Sequence, residues 1–186
     1  FVEFGGECTD AEINRLTELA RNSDTDLIVG VGGGKAIDTA KGICINQRMP
    51  LIIVPTIASN DSPTSRVSVV YTDEHVLQEA RSLPANPDLV LVDTEVLIQA
   101  PERFFISGVG DAISKKFEAA QCAATGNNNF YGARPPLLAQ TIADACYDVI
   151  RADAEAALQA VRSKTPNDAF ERTVEATILL SGLAFE

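Results

Sequence analysis

One histidine, His75, is the whole supply of imidazole in this 186-residue chain. A Ser-His-Asp triad or a His-rich metal site built from these residues alone is therefore not expected. Cysteine is almost as sparse. Cys8, Cys44, Cys122 and Cys146 lie far apart with no C-x-x-C pair, the usage of isolated reduced thiols in a cytoplasmic protein. Positive charge is in short supply too: 15 Lys and Arg stand against 26 Asp and Glu, a formal net charge of −11. That balance opposes nonspecific binding to nucleic acid or to an anionic membrane. No apolar run approaches the roughly 18 residues of a membrane-spanning helix. The opening "FVEFGGECTD" has neither the basic n-region nor the apolar stretch of a signal peptide.

What is present is the material of a folded domain, 46% apolar and 22% charged. The segment "DAEINRLTELARN" (10–22) carries Ile13, Leu16, Leu19 and Ala20 at helical spacing, with Asp10 available as a cap. "DLIVGVG" follows as a short β-branched run, the pattern of a parallel strand covered on both faces. Residues 35–47 predict a helix, and "PLIIVPT" a second buried strand. "SRVSVVYT" alternates like a strand with one wet face, and "DLVLVDTEVL" predicts another buried strand. Strand, helix and strand in this order form a βαβ unit. Near Pro101 the texture changes to alanine-rich helical stretches over 111–124, 136–150, 152–163 and 167–185, with a loop at 124–136. The expected class is α/β: a Rossmann-like parallel-sheet half over 1–101, followed by an all-helical half over 102–186.

Three stretches carry chemistry. In Gly30-Val31-Gly32-Gly33-Gly34-Lys35 the dinucleotide fingerprint fails, because lysine takes the place of its last glycine. The phosphate loop G-x-x-x-x-G-K-[ST] fails as well, one residue short and with Ala36 in place of the hydroxyl. A strand ending in glycines at a helix start still suits an anion. It also suits a plain tight turn. Asp38, in the first turn of that helix, is either a dipole partner or an acceptor for a ligand hydroxyl. The second stretch, "VPTIASNDSPTSRVSVVYT", packs Thr56, Ser59, Asn60, Asp61, Ser62, Thr64 and Ser65 into the loop after a buried strand. Such a loop hydrogen-bonds a ribose or polyol, or closes an Asx/ST-turn network around Pro63. In the third, "FFISGVGDAISKKFEAA", Asp111 follows Gly-Val-Gly and is expected to open a helix as its N-cap, with Glu118 on the same face.

Taken together, "GVGGGKAIDTAKG", "LIIVPTIASNDSPTSRVSVVYT" and "NPDLVLVDTEVLIQAPERFFISGVGDAISKKFEA" resemble the glycerol dehydrogenase family of the iron-containing alcohol dehydrogenase superfamily. "NNNFYGARPPLLAQTIADACYDVI" and "VEATILLSGLAFE" fit the helical half of that family. The resemblance implies NAD-linked oxidation of glycerol, a small polyol, to dihydroxyacetone. It implies a divalent metal, usually zinc with iron as the alternative, and a homo-oligomer at full length. Gly32, Gly33, Gly34 and Lys35 would face the pyrophosphate and Asp38 the nicotinamide half. Thr56, Ser59, Ser65, Val67 and Tyr71 match positions lining the cofactor. Asp61 matches a substrate-contacting aspartate, and Asp111 a metal ligand rather than a cap. The family's two metal-binding histidines would follow Glu186, and its first strand would precede Phe1, so the chain is expected to be an internal piece, inactive alone. Other readings are a dehydrogenase of another polyol or of glycerol phosphate, or a noncatalytic nucleotide-binding module. Only Arg66 lies near Asp61 to meet a phosphate, which favours an uncharged polyol.

Overall fold

The computed structural model describes residues 1–185. The chain packs as two units, one of Phe1–Thr56 with Arg66–Val92, the other of Ile57–Ser65 with the residues from Asp93 onward. The second unit takes in the polar loop 57–65 and resumes at Asp93.

In the first unit, helix α1 (Asp10–Asn22) starts where Thr9 Oγ1 accepts the Glu12 N–H at 3.2 Å. Asp10 and Glu12 sit at the positive end of its dipole, and Ile13, Thr17 and Ala20 bury one stripe. Strand β1 (Ile28–Gly32) runs into α2 (Gly34–Gln47), which returns to β2 (Leu51–Pro55). β1 and β2 pair in parallel from Ile28↔Leu51 to Gly32↔Pro55. A two-residue β5 (Leu89–Val90) adds to β2, also in parallel, giving the order β1-β2-β5. The core lies between this sheet and α2: Ile37, Ala40 and Cys44 pack on Leu51, Ile53 and Leu83.

The opposite face of the sheet differs from the expectation of full coverage. Val29 and Val31 are 51% and 56% exposed, and Leu89 and Leu91 are 50% and 55% exposed. The reason is the period of two: Gly30 and Ile53 point to α2, so their neighbours point away, where the described residues supply no second helix layer. Two further strands lie outside this sheet. β3 (Val67–Tyr71) joins no parallel sheet; it forms an antiparallel ribbon with β4 (Leu77–Ser82). β4 escapes a reading by pattern because "LQEARS" is almost wholly exposed and carries no apolar alternation.

The second unit is helical. A short α3 (Thr94–Leu97), capped by Asp93, leads into α4 (Glu102–Thr125), α5 (Leu137–Ser163) and α6 (Asp168–Glu175). One turn of π-helix (Ala176–Leu180) joins α6 to α7 (Ser181–Phe185). Ala112, Cys146, Ile150 and Ala176 form its core, and the Phe105 and Phe170 rings meet at 5.7 Å between centroids. The two stretches expected at 136–150 and 152–163 are one continuous helix, α5.

Asp111 is not an N-cap. α4 starts nine residues earlier at Glu102 and runs straight through Gly108-Val109-Gly110. Gly108 is there for close approach, not for a turn. A Cβ on it would lie 2.2 Å from the Ala58 carbonyl oxygen and 2.7 Å from Thr177 Cγ2. The missing side chain lets the polar loop 57–65 lie directly on α4, and Gly182 does the same for Thr64 from α7.

Candidate functional site

Of the residues singled out in the sequence, Gly32, Gly33, Gly34, Lys35, Asp38, Thr56, Val67 and Tyr71 fall in the first unit. At the β1–α2 turn Gly32 has φ +150°, a region that L side chains rarely adopt, and a Cβ there would meet Ala36 Cβ at 2.8 Å. Gly33 is the N-cap of α2 and offers no side chain to the first-turn amides. The first helical N–H groups therefore remain for an anion, the arrangement that suits a pyrophosphate. The Thr56 N–H donates to Gly32 O at 2.9 Å and holds the turn against the end of β2.

Lys35 is engaged locally. Its Nζ lies 2.5 Å from Glu7 Oε2 and 5.4 Å from the centroid of the Tyr71 ring, while His75 Nδ1 meets the same Glu7 oxygen at 2.5 Å. Burial opposes ionisation of Glu7, but the hydrogen bonds from Lys35 and His75 win and hold its carboxyl below the ordinary glutamate range. Asp38 is 7% exposed and faces β3. Its Oδ2 accepts the Val69 N–H at 3.3 Å, its carbonyl accepts the Ser68 hydroxyl at 2.8 Å, and its Oδ1 lies 3.5 Å from Lys41 Nζ. Lys41, fully buried, donates to the Val67 carbonyl at 2.7 Å. Asp38, Val67 and Lys41 are thus one buried polar bracket between α2 and β3. The sequence signal for it was the i,i+3 spacing of Asp38 and Lys41.

Ser59, Asp61, Ser65 and Asp111 fall in the second unit. Here the structure brings two of them together across fifty residues of sequence: the Asp61 N–H donates to Asp111 Oδ2 at 3.2 Å. The Asp61 carbonyl in turn accepts the N–H groups of Thr64 and Ser65 at 3.0 and 3.1 Å, which fixes the loop. Ser65 is buried, and Ser59 is half-buried at the other end of the same loop. The residue that sequence reasoning missed is Lys115. Its Nζ lies 3.2 Å from both Asp61 Oδ2 and Asp111 Oδ1, and 3.8 Å from Glu118 Oε2. Its signal was the i,i+4 spacing to Asp111. Burial, and next the Asp61 charge, push the Asp111 carboxyl above its ordinary value against the pull of Lys115. Burial works against the Lys115 ammonium, yet Asp61, Asp111 and Glu118 outweigh it and raise its affinity for the proton. Burial pushes the Cys44 thiol up to about 12 and the Cys146 thiol up to about 11.

Residues 1–94 match the family model described as iron-containing alcohol dehydrogenase. The chain belongs to that family. Among iron-containing alcohol dehydrogenases and their relatives it is 45% identical to glycerol dehydrogenase from Thermotoga maritima, over 98% of this chain and 50% of that protein. A glycolaldehyde reductase from Halobacterium salinarum is 39% identical over 100% of this chain and 51% of its own length. The solved structure of a probable glycerol dehydrogenase from Sinorhizobium meliloti superimposes with a TM-score of 0.95 at 43% identity, covering 98% of this chain and 52% of that one. The chain therefore spans about half the length of the relatives it matches. No helix among the described residues is long and apolar enough to cross a membrane.

Proposed function

We propose that this chain is the central part of a cytoplasmic, homo-oligomeric NAD-dependent glycerol dehydrogenase, which oxidises glycerol to dihydroxyacetone. The observation that carries the reading is the pairing of Asp61 with Asp111, residues from two separate motifs of that family held within hydrogen-bonding distance. The cofactor, when bound, supplies the carbon that accepts hydride. The amides of Gly33, Gly34 and Lys35 hold its pyrophosphate at the start of α2, and Gly32 keeps the approach clear of a side chain. Thr56, Ser59, Ser65, Val67 and Tyr71 line it, and Asp38 serves its nicotinamide half while bracing α2 on β3. The Asp61 carboxylate accepts hydrogen bonds from polyol hydroxyls.

Asp111 is proposed as a carboxylate donor to a divalent metal, zinc in the first instance and iron as the alternative. The described residues do not form a metal centre by themselves. Zinc takes at least three protein ligands, and no group of three His, Cys, Asp or Glu among the described residues could hold an ion. A second reading, reduction of glycolaldehyde, rests on the relative from H. salinarum.

Calorimetric titration of NAD tests the cofactor half of the proposal. Gly33 has φ −90° and ψ −177°, a conformation open to any residue, so Gly33→Val brings no backbone strain while its side chain crowds the anion. Binding by the wild-type chain with a loss of about tenfold or more in Gly33→Val is the expected result. Equal affinity in a folded variant returns the glycines to a plain turn. The same chain given glycerol and NAD should form no NADH, and steady turnover would contradict its reading as a part.

A further inference from the structure

One turn of the helical unit departs from α-helical bonding, and it sits against the loop that carries Asp61. Ala176–Leu180 closes as π-helix, with the Ser181 N–H donating to the Ala176 carbonyl. Such turns are rare, and they occur mostly as single insertions in α-helices, frequently at functional sites. The same carbonyl lies 3.4 Å from Cys146 Sγ, which in turn lies 3.7 Å from the Ala112 carbonyl. The buried thiol thereby ties the turn to α4 at the residue after Asp111. The Ser181 hydroxyl donates to the Thr177 carbonyl, and both side chains are buried.

The turn brings two contacts to the loop 57–65. At Gly108, Thr177 Cγ2 and the Ala58 carbonyl oxygen lie 2.7 and 2.2 Å from where a Cβ would stand. A Cβ on Gly182 would lie 2.8 Å from Thr64 Cβ and 3.3 Å from the Ser65 nitrogen. Asp61 falls between these contacts in sequence, and its carbonyl accepts the Thr64 and Ser65 N–H groups at 3.0 and 3.1 Å. A π turn spends one residue more than an α turn. Closed as α-helix, the same sequence would bring Ser181 to the place of Gly182, and its Cβ would overlap Thr64.

We propose that the π turn positions Asp61, with Thr177 and Gly182 as the positioning residues. They hold the loop against α4 and the start of α7, so that the Asp61 carboxylate meets a polyol at one fixed place. The inference rests on the reading of Asp61 as the aspartate that accepts hydrogen bonds from polyol hydroxyls.

Amide hydrogen exchange of the chain, resolved by NMR, tests the hold on the loop for wild type, Gly182→Ala, Thr177→Ser and Leu179→Ala. Circular dichroism checks that each is folded. Thr177→Ser removes only the methyl group at Gly108, and Leu179, 40% exposed, is the control on the same turn. The Thr64 and Ser65 amides should exchange about tenfold faster or more in Gly182→Ala. Thr177→Ser should shift them in the same direction, and Leu179→Ala should leave them at the wild-type rate. Unchanged exchange in a folded Gly182→Ala, or equal acceleration in Leu179→Ala, overturns the inference. If Gly182→Ala does not fold, Thr177→Ser decides by the same criterion.

Steady-state kinetics of the full-length enzyme then separate positioning from mere stability. Gly182→Ala should raise the glycerol KM by about tenfold with a smaller change in kcat, because Asp61 binds the polyol before any bond breaks. A loosened loop with the wild-type glycerol KM overturns the positioning role. A wild-type enzyme that forms no NADH from glycerol overturns the reading of Asp61 instead, and the exchange rates still decide whether the turn holds the loop.

Discussion

At the scale of single residues, the buried charges decide more than the glycines do. Lys41 is fully buried with Asp38 beside it, and each takes a backbone partner from β3. Breaking such a pair by removing one partner costs far more than the pair contributes, because a charge is left in low dielectric. Lys41→Met should therefore destabilise the first unit by about 3–5 kcal/mol in urea unfolding. Lys41→Met combined with Asp38→Asn should recover part of that loss, and an additive double variant would sink the idea of one bracket. It follows that a loss of NAD affinity on changing Asp38 is not by itself a sign of contact, since the α2–β3 brace goes with it. Glu7 gives a pH prediction of known sign. Its folded pKa is lowered, so its contribution is full above the ordinary value of 4.5 and fades as pH falls through the folded value. The Tm gap between wild type and Glu7→Gln should be widest near neutrality and close in acid. A gap that widens in acid would contradict the Lys35–Glu7–His75 cluster.

At the scale of elements, α4 shows that one residue type in one helix answers to two different constraints. Gly108 and Gly110 both weaken a helix interior by roughly 1 kcal/mol relative to alanine. Gly110→Ala should recover this, since a Cβ there meets nothing within 4 Å. Gly108→Ala should lower Tm instead, because its Cβ would lie 2.2 Å from the Ala58 carbonyl and push the Asp61 loop off the helix. Thermal unfolding of the two variants is the measurement, and shifts of the same sign would disprove the contrast. The same two glycines explain why part of the fold was not legible in advance. The β1–α2–β2 unit and α1 were readable because their apolar periods are local and strong. In α4 the Gly-Val-Gly pattern imitates a turn, and only the partner backbone from residues 57–65 reveals it as a contact surface. The candidate site divides in the same way. Asp61 and Asp111 were marked from their motifs, whereas Lys115 gains meaning only when the loop arrives and places a second aspartate on it.

At the scale of the whole molecule, the first unit carries an apolar sheet face that its own residues do not cover. The pairings Val29↔Ile52↔Leu89 set one apolar row across three strands, and Val31↔Val54 with Leu91 sets the next. A parallel sheet is ordinarily covered on both faces, and here only the α2 face is. In the helical unit Leu179 and Leu183 are 40% and 37% exposed, and Ile178 is buried at 2%. The sheet face is one driver of self-association, opposed by the net charge of −11. Light scattering after size exclusion should find species heavier than the 19.8 kDa chain, increasing with salt as the charges are screened. Val29→Lys with Val31→Lys places two charges on the open row without touching the α2 side, where Gly30 and Ile53 point. That double variant should move the chain toward monomer and reduce the binding of a hydrophobic dye. Association unchanged by the two lysines would shift the sticky surface to the helical unit, where Phe117, Leu137 and Leu138 are 58%, 79% and 65% exposed.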